Sequence, residues 1–209
     1  MRLLLLGATG AVGGACLDEL RGAPDAVVAP TRRALPAAPN LHNPLDPEGR
    51  WEAPGIWQAD AVLCALGSTI RKAGSPAAFH AIDHDLVLAL LQRARAAGTP
   101  TAVLVSSLGA SAKGNFYLRT KHAAEQAVSA LGFASLSILR PSMIDTEREE
   151  SRPAERLGLI AMRALAPLIP ARYRAVSARR IARCMLACAR SAAPGIHLVE
   201  SDAIQRLGQ

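Results

Sequence analysis

The sequence has few aromatic residues, no closely paired cysteines and no long apolar run, and each shortage excludes a class of protein. Phe, Trp and Tyr make up 3% of the 209 residues, and the four cysteines form no C-x-x-C pair. Apolar runs stop at Gly, Pro or Arg before reaching the ~20 residues that span a bilayer. No signal-like segment precedes the first predicted strand. We therefore expect a soluble single domain over residues 1–209 in a reducing, cytoplasmic compartment, with no membrane partner.

Acidic residues are scarce only in the last quarter of the chain. Residues 1–150 hold 14 basic and 14 acidic side chains, whereas residues 151–209 hold 10 basic and 3 acidic ones. A basic surface attracts nucleic acid, anionic lipid or an anionic substrate. These arginines, however, are dispersed among Ala and Leu, and aromatic residues that could stack on bases are nearly absent there. The pattern favours a solvated helical face, and we expect no nucleic-acid partner.

The order of apolar segments predicts an α/β fold. Short apolar strands alternate with helices, which indicates a parallel sheet covered on both faces. We expect a doubly wound parallel sheet of the Rossmann type, with residues 141–209 as a small appended helical region that faces substrate or a partner. The predicted strands lie near residues 1–6, 26–29, 41–45, 60–66, 101–105, 134–139 and 196–199, and the predicted helices span 11–20, 75–97, 115–131, 153–169 and 177–190.

Three glycines follow the first strand at G-x-x-G-x-x-G spacing, in the segment Gly7-Ala8-Thr9-Gly10-Ala11-Val12-Gly13. Glycine permits a tight turn and lets backbone N–H groups approach a pyrophosphate, while the following helix N-terminus adds partial positive charge. The same spacing also occurs in plain strand-to-helix connections. Its position at the first strand of an alternating chain nevertheless predicts dinucleotide binding.

The end of the second strand selects between the two nicotinamide dinucleotides. Sites that prefer NAD commonly place Asp or Glu there to bond the ribose hydroxyls. This chain instead reads Ala29-Pro30-Thr31-Arg32-Arg33. The guanidinium groups of Arg32 and Arg33 suit a 2′-phosphate, which a carboxylate would repel. The expected cofactor is therefore NADP(H), and the alternative is a pair of ordinary surface arginines.

A serine, a tyrosine and a lysine form the candidate catalytic set. Tyr117 and Lys121 are four residues apart at the start of a predicted helix, so they project from one face. A nearby ammonium favours the phenolate, which allows a tyrosine to exchange a proton with a substrate oxygen. Ser106 and Ser107 end the preceding strand at the ligand-binding edge of the sheet. The alternative is a capping serine and an amphipathic tyrosine over the core.

These motifs carry a resemblance to a known superfamily. The segments LLLLGATGAVGG, VLVSSLGAS, NFYLRTKHAAEQAV and ILRPSMID resemble the atypical or extended short-chain dehydrogenase/reductase superfamily. Within it, CALGSTIRKAGSPAAFHAIDHDLV and the ILRP…REESRP segment are similar to the Tat-interacting-protein-like oxidoreductases, near bacterial sugar-nucleotide epimerase-like proteins. The similarity extends to about residue 156.

The resemblance implies a role for individual residues. The implied catalytic residues are Ser107, with Ser106 as alternate, Tyr117 and Lys121. The implied cofactor-binding residues are Gly7, Thr9, Gly10, Ala11, Val12, Gly13, Arg32, Arg33, Leu45 near adenine, Ala65, Leu66 and Gly67 towards nicotinamide, Ser106, Tyr117, Lys121, and Pro141 beside the nicotinamide. Asp83 stands where many superfamily members have an asparagine, which departs from the pattern behind the usual proton relay.

Three functions follow from these residues. The first is an NADP(H)-dependent oxidoreductase acting on a small carbonyl or alcohol. The second is an NADP(H)-binding regulatory protein with little turnover, whose C-terminal region serves as a surface for a protein partner or a second copy. The third is a sugar-nucleotide epimerase-like enzyme with tightly held cofactor. The dispersed histidines predict no metal site, and Cys184 and Cys188 are expected to pack in the core.

Overall fold

The computed structural model describes residues 1–53, 55–145 and 170–209. Among them, seven parallel strands form one sheet in the order β3-β2-β1-β4-β5-β6-β9. These strands are β1 Arg2–Leu6, β2 Ala26–Val28, β3 Leu41–His42, β4 Ala61–Cys64, β5 Thr101–Val105, β6 Ser135–Arg140 and β9 Gly195–Glu200. Two short strands, β7 Ile144–Asp145 and β8 Val176–Ser177, pair separately. The predicted doubly wound parallel sheet is confirmed.

Helices cover both faces of the sheet. They are α1 Ala11–Leu20, α2 Ile70–Ala73, α3 Pro76–His80, α4 Val87–Ala96, α5 Phe116–Ser129, α6 Ala178–Ser191 and α7 Ser201–Leu207. A π-helical turn, Ala81–Leu86, joins α3 to α4, and a 3₁₀ turn spans Ala171–Tyr173. The helix predicted over residues 153–169 lies outside the described residues.

Polar residues in the sequence explain where α3 and α5 begin. Asn115 accepts a hydrogen bond from the Leu118 backbone N–H at 3.0 Å, and Ser75 accepts one from Ala78 at 3.1 Å. Such side chains satisfy amide groups that have no partner in the first helical turn. The structure therefore has a side-chain cap at each of the two predicted helix starts, Asn115 and Ser75.

Two apolar clusters fill the two sides of the sheet. Because the side chains of a strand alternate in direction, Leu3 and Leu5 of β1 face one cluster while Leu4 and Leu6 face the other. All four leucines are at most 1% exposed. The carboxyl end of β1 is thereby fixed between two packed layers, and the glycine turn begins there.

The C-terminal residues are built into these layers. Helix α6 packs beside α1, where Arg183 donates to Glu19 at 3.0 Å, and Arg190 of α6 donates to Asp25, just before β2, at 2.9 Å. Cys184 is buried on the inner face of α6 and Cys188 is partly buried. Part of the region predicted as an appendage thus covers one face of the sheet and supplies its last strand.

The last strand forms an edge of the sheet. Strand β9 pairs with β6, and within the described residues it has no neighbour on its other side. Its side chains Ile196 and Leu198 are 55% and 54% exposed.

Candidate active site

The glycine turn lies between β1 and α1, as the sequence predicts. Gly7 has φ +87°, and a Cβ atom there would lie 2.7 Å from the Ala65 carbonyl carbon. A Cβ on Gly13 would overlap the Gly7 carbonyl oxygen. Gly10, at the start of α1, has no side-chain cap for the helix. The turn therefore presents uncapped backbone N–H groups, and no side chain larger than hydrogen fits at Gly7 or Gly13 without displacing backbone.

A cleft of about 710 Å³ opens at the carboxyl ends of β1, β2 and β4. This volume lies within the range of ~300–1,000 Å³ that ligand sites commonly have. The sequence-predicted residues that line it are Gly7, Thr9, Gly10, Arg32, Arg33, Ala65, Leu66 and Gly67. Ala11, Val12 and Gly13 lie in the first turn of α1, behind the glycine turn.

The segment with Arg32 and Arg33 is held by a side-chain network that the sequence analysis missed. The Asn43 amide donates to the Ala29 carbonyl at 2.6 Å and to Thr31 Oγ1 at 2.8 Å. Thr31 Oγ1 in turn donates to the Arg33 carbonyl at 2.6 Å. Arg32 and Arg33 are exposed at the cleft, and no carboxylate of the described residues pairs with either guanidinium.

Trp51 forms part of the cleft wall, a position that the sequence did not predict. The Asp46 carboxylate accepts backbone N–H bonds from Glu48, Arg50 and Trp51, which closes a compact loop. Trp51 is 9% exposed, lines the cleft and donates from Nε1 to the Thr31 carbonyl. Leu45, the residue predicted near adenine, is 54% exposed and bridges Thr31 through its backbone.

The two serines after β5 have different surroundings. Ser106 is buried and donates to Glu125 Oε1 at 2.5 Å, and Glu125 also pairs with Arg140 at 2.6 Å. Ser107 is half-buried, and its Oγ makes only a long contact of 3.5 Å with the Leu108 carbonyl among the described residues. Ser107 is therefore the hydroxyl with remaining hydrogen-bonding capacity, because Ser106 is engaged in an ion-pair network.

Lys121 forms a buried ion pair that the sequence analysis did not predict. Its Nζ lies 2.7 Å from Asp83 Oδ1, and the two side chains are 7% and 0% exposed. The other carboxylate oxygen of Asp83 accepts the Ser68 backbone N–H at 2.8 Å. A Cβ on Gly67 would lie 3.4 Å from Lys121 Nζ. Because Gly67 lines the cleft, the Lys121 ammonium lies directly under the cleft surface.

Tyr117 lies one helical turn before Lys121, at the start of α5. Its ring stacks on Phe79, with centroids 5.2 Å apart and planes 29° apart. Phe79 is fully buried, so it anchors a tyrosine that is itself half-buried. Pro141 follows β6, and its carbonyl accepts the Leu108 N–H at 2.8 Å, which ties the loop after Ser107 to the end of β6.

The residues present fit a dinucleotide. Two glycines whose Cβ positions are occupied by backbone, uncapped amides at α1 and two exposed guanidinium groups surround one cleft. Backbone N–H groups and guanidinium groups are the donors that bind phosphate oxygens. The fold and this cleft define an NAD(P)-binding Rossmann protein.

Comparison with known proteins identifies the family. The model of the "NAD dependent epimerase/dehydratase family" matches residues 3–144. The chain is 40% identical over 163 residues to "Protein fmp52, mitochondrial" of Emericella nidulans, covering 72% of this chain and 70% of that protein. It is 34% identical over 217 residues to "Protein HTATIP2" of Rattus norvegicus, covering 99% and 89%. The chain belongs to the NAD dependent epimerase/dehydratase family, and the predicted resemblance is confirmed.

Solved structures share the fold at low sequence identity. MoeE5 in complex with UDP-glucose and NAD has a TM-score of 0.73 and 17% identity, covering 95% of this chain and 75% of that one. The human epimerase family protein SDR39U1 with NADPH has a TM-score of 0.67 and 14% identity, covering 95% and 73%. These neighbours hold different nicotinamide dinucleotides, so the shared fold does not distinguish between them.

The predicted cytoplasmic setting is contradicted by the comparison. The relative from Emericella nidulans and further fungal relatives at 38% and 35% identity are named as mitochondrial proteins. The cytoplasmic prediction rested partly on the lack of a C-x-x-C pair, and such a pattern does not distinguish the cytoplasm from other reducing compartments. In the part of the chain that the structure describes, every helix is too short or too polar to span a bilayer.

Proposed function

We propose that the protein is an NADP(H)-dependent oxidoreductase that acts on a small carbonyl or alcohol. The observation that carries this proposal is the position of the Lys121 ammonium beneath Gly67, just below the cleft surface and one helical turn from Tyr117. Ser107 lies two residues after β5, at the carboxyl edge of the sheet, and its hydroxyl retains hydrogen-bonding capacity.

Each of the three side chains has a distinct task in this proposal. Tyr117 transfers a proton to or from the substrate oxygen, while Ser107 donates a hydrogen bond to that oxygen. Lys121 places a positive charge beside the tyrosine and holds the cofactor ribose. When bound, the cofactor supplies the nicotinamide that gives or takes the hydride.

Replacing Tyr117 with Phe tests the catalytic part of the proposal. This change removes the proton donor but keeps the ring on Phe79, so we expect turnover of a carbonyl panel to be abolished while NADPH affinity is retained. The matched control is Tyr173→Phe, because Tyr173 is the other tyrosine of the chain and is 60% exposed. Unchanged turnover in Tyr117→Phe would remove Tyr117 from the mechanism.

The preference for NADP(H) over NAD(H) rests on Arg32 and Arg33. A charge-assisted contact between a guanidinium and a phosphate contributes about 1.5–3 kcal/mol. We therefore expect NADPH to bind about 10- to 100-fold more tightly than NADH. Because both arginines are exposed, mobile ions screen the contact, and the preference should decrease as the salt concentration rises.

A fluorescence titration tests this preference, since Trp51 lines the cleft and its emission should change when nucleotide binds there. Changing both Arg32 and Arg33 to Ala should weaken NADPH binding far more than NADH binding. Arg206→Ala is the control, because it removes an exposed guanidinium on α7. Equal affinities of the unmodified protein for NADPH and NADH at low salt would show that Arg32 and Arg33 do not select the nucleotide.

One observation favours a second function, an NADP(H)-binding protein with little turnover. The Asp83 carboxylate at 2.7 Å cancels part of the Lys121 charge that would otherwise stabilise a Tyr117 phenolate. Such a protein would bind NADPH in the titration above yet oxidise it with none of the carbonyls in the panel. Turnover that is lost in Tyr117→Phe would exclude this second function.

A further inference from the structure

Three side chains outside the cofactor cleft converge around the end of α3. His80 Nδ1 lies 3.4 Å from Asp85 Oδ2, and His84 Nδ1 lies 2.8 Å from Asp85 Oδ1. The two imidazole centroids are 4.7 Å apart. One ligand atom from each residue can be chosen so that all three lie within 4.8 Å of one another.

The π-helical turn brings these three residues together. In a π-helix the backbone bonds run from residue i to residue i+5. Viewed along the helix axis, residues i+4 and i+5 therefore lie on either side of residue i. In a regular α-helix, residue i+5 lies a further 100° around the axis from residue i+4. The turn over Ala81–Leu86 thus places His84 on one side of His80 and Asp85 on the other.

The separations are close to those of a metal centre. Bonds of 2.0–2.2 Å to histidine nitrogen and carboxylate oxygen give tetrahedral edges of about 3.3–3.6 Å. The His80–Asp85 contact of 3.4 Å lies within that range, and the His84–Asp85 contact of 2.8 Å is about 0.5 Å shorter. Side-chain rotations at His80 and His84 would complete the third edge, because both residues are only partly buried.

The charge of the cluster also suits a cation. Two imidazole nitrogens and one carboxylate form a donor set that zinc and neighbouring divalent transition metals accept. Solvent can occupy a fourth position, because the Asp85 side chain is 59% exposed.

We propose that His80, His84 and Asp85 form a binding site for a divalent transition-metal ion of the zinc type. This site is separate from the cofactor cleft, although Ile82 and Leu86 of the same π turn line that cleft. The ion would fix the turn that also carries Asp83, the partner of Lys121. The proposal does not depend on the proposed reaction, since binding is measured without substrate or nucleotide.

Calorimetric titration of the metal-free protein with zinc chloride tests the site. We expect one zinc ion per chain, and a loss of affinity of about tenfold or more in His84→Ala and in Asp85→Asn, because even removal of a supporting partner costs about that much. His42→Ala is the matched control, since it removes an exposed imidazole on β3 and should leave the affinity unchanged. Circular dichroism establishes that each variant is folded.

Cobalt absorption distinguishes this site from metal binding at Cys184 and Cys188 of α6. Cobalt held by two imidazoles and a carboxylate gives visible ligand-field bands without a thiolate charge-transfer band. We expect that spectrum in the unmodified protein and in Cys188→Ser. A thiolate band, an affinity that survives both His84→Ala and Asp85→Asn, or no zinc binding at all would each overturn the proposal.

Discussion

Removing only one charge of the Lys121–Asp83 pair should destabilise the protein far more than removing both. Lys121 Nζ and Asp83 Oδ1 are 2.7 Å apart, and both side chains are buried. At an effective dielectric constant of about 20, the attraction between the two charges is roughly 6 kcal/mol. Burial of the two charges offsets most of that attraction in the intact protein. A single neutral variant, however, leaves the partner charge buried without its counter-ion.

We therefore expect Asp83→Asn and Lys121→Met each to lower the free energy of unfolding by about 3–5 kcal/mol. Asparagine retains an oxygen for the Ser68 N–H, so the loss in Asp83→Asn reports mainly the uncompensated ammonium. The double variant contains neither charge and should lose about 2 kcal/mol or less. The losses of unfolding free energy in the two single variants should consequently sum to far more than the loss in the double variant.

Urea unfolding of the nucleotide-free protein, followed by far-ultraviolet circular dichroism, measures all four free energies. The matched control is Asp202→Asn, which breaks an exposed pair with Arg206 at 2.9 Å and should cost about 0.5 kcal/mol or less. A loss below about 1 kcal/mol in both single variants, or strictly additive losses, would refute the reasoning.

Two further predictions concern α6. A hydrogen bond from Cys184 lowers the pKa of Cys188, whereas burial raises the pKa of Cys16 to about 12. A disulfide reagent should label Cys188 first, and a fast phase that persists in Cys188→Ser would contradict this. The hydrogen bond from Arg190 lowers the pKa of Asp25. The stabilisation from this ion pair is complete at pH values above the ordinary Asp pKa of about 3.9. It is lost as the pH falls through the lower pKa that Asp25 has in the folded protein. Urea unfolding measures the free energy of unfolding, and the difference in this quantity between the unmodified protein and Asp25→Asn should shrink from about pH 5 to about pH 3. A difference that does not depend on pH would disprove this prediction.

The fold was predictable because its elements have strong local signals. An apolar run such as Leu3–Leu6 fits a strand buried on both faces, and glycine or proline marks most element ends. The helix predicted over residues 75–97 is instead interrupted by the π turn Ala81–Leu86. Apolar spacing does not show such a turn, because one inserted residue leaves the periodicity on either side nearly intact.

The candidate site was predictable only where backbone geometry dictates it. Gly7 and Gly13 are required by close backbone contacts, and Tyr117 and Lys121 share one helix face. The residue pattern left both Ser106 and Ser107 open, and only the family resemblance favoured Ser107, because the difference between them depends on the Ser106 partner Glu125, 19 residues away. Trp51 was missed as a cleft residue for a similar reason, since its position depends on the fold of a loop.

The exposed edge at β9 has a practical consequence for engineering the protein. Within the described residues one side of β9 is unpaired, and such an edge with Ile196 and Leu198 exposed is a template for pairing with other chains, so it is the first place to alter if the protein aggregates. Strand β9 is separated from β1 by four strand spacings, about 19 Å. A lysine at position 196 would therefore improve colloidal behaviour at a distance from the nucleotide cleft, and the same edge offers an attachment point for labels or surfaces.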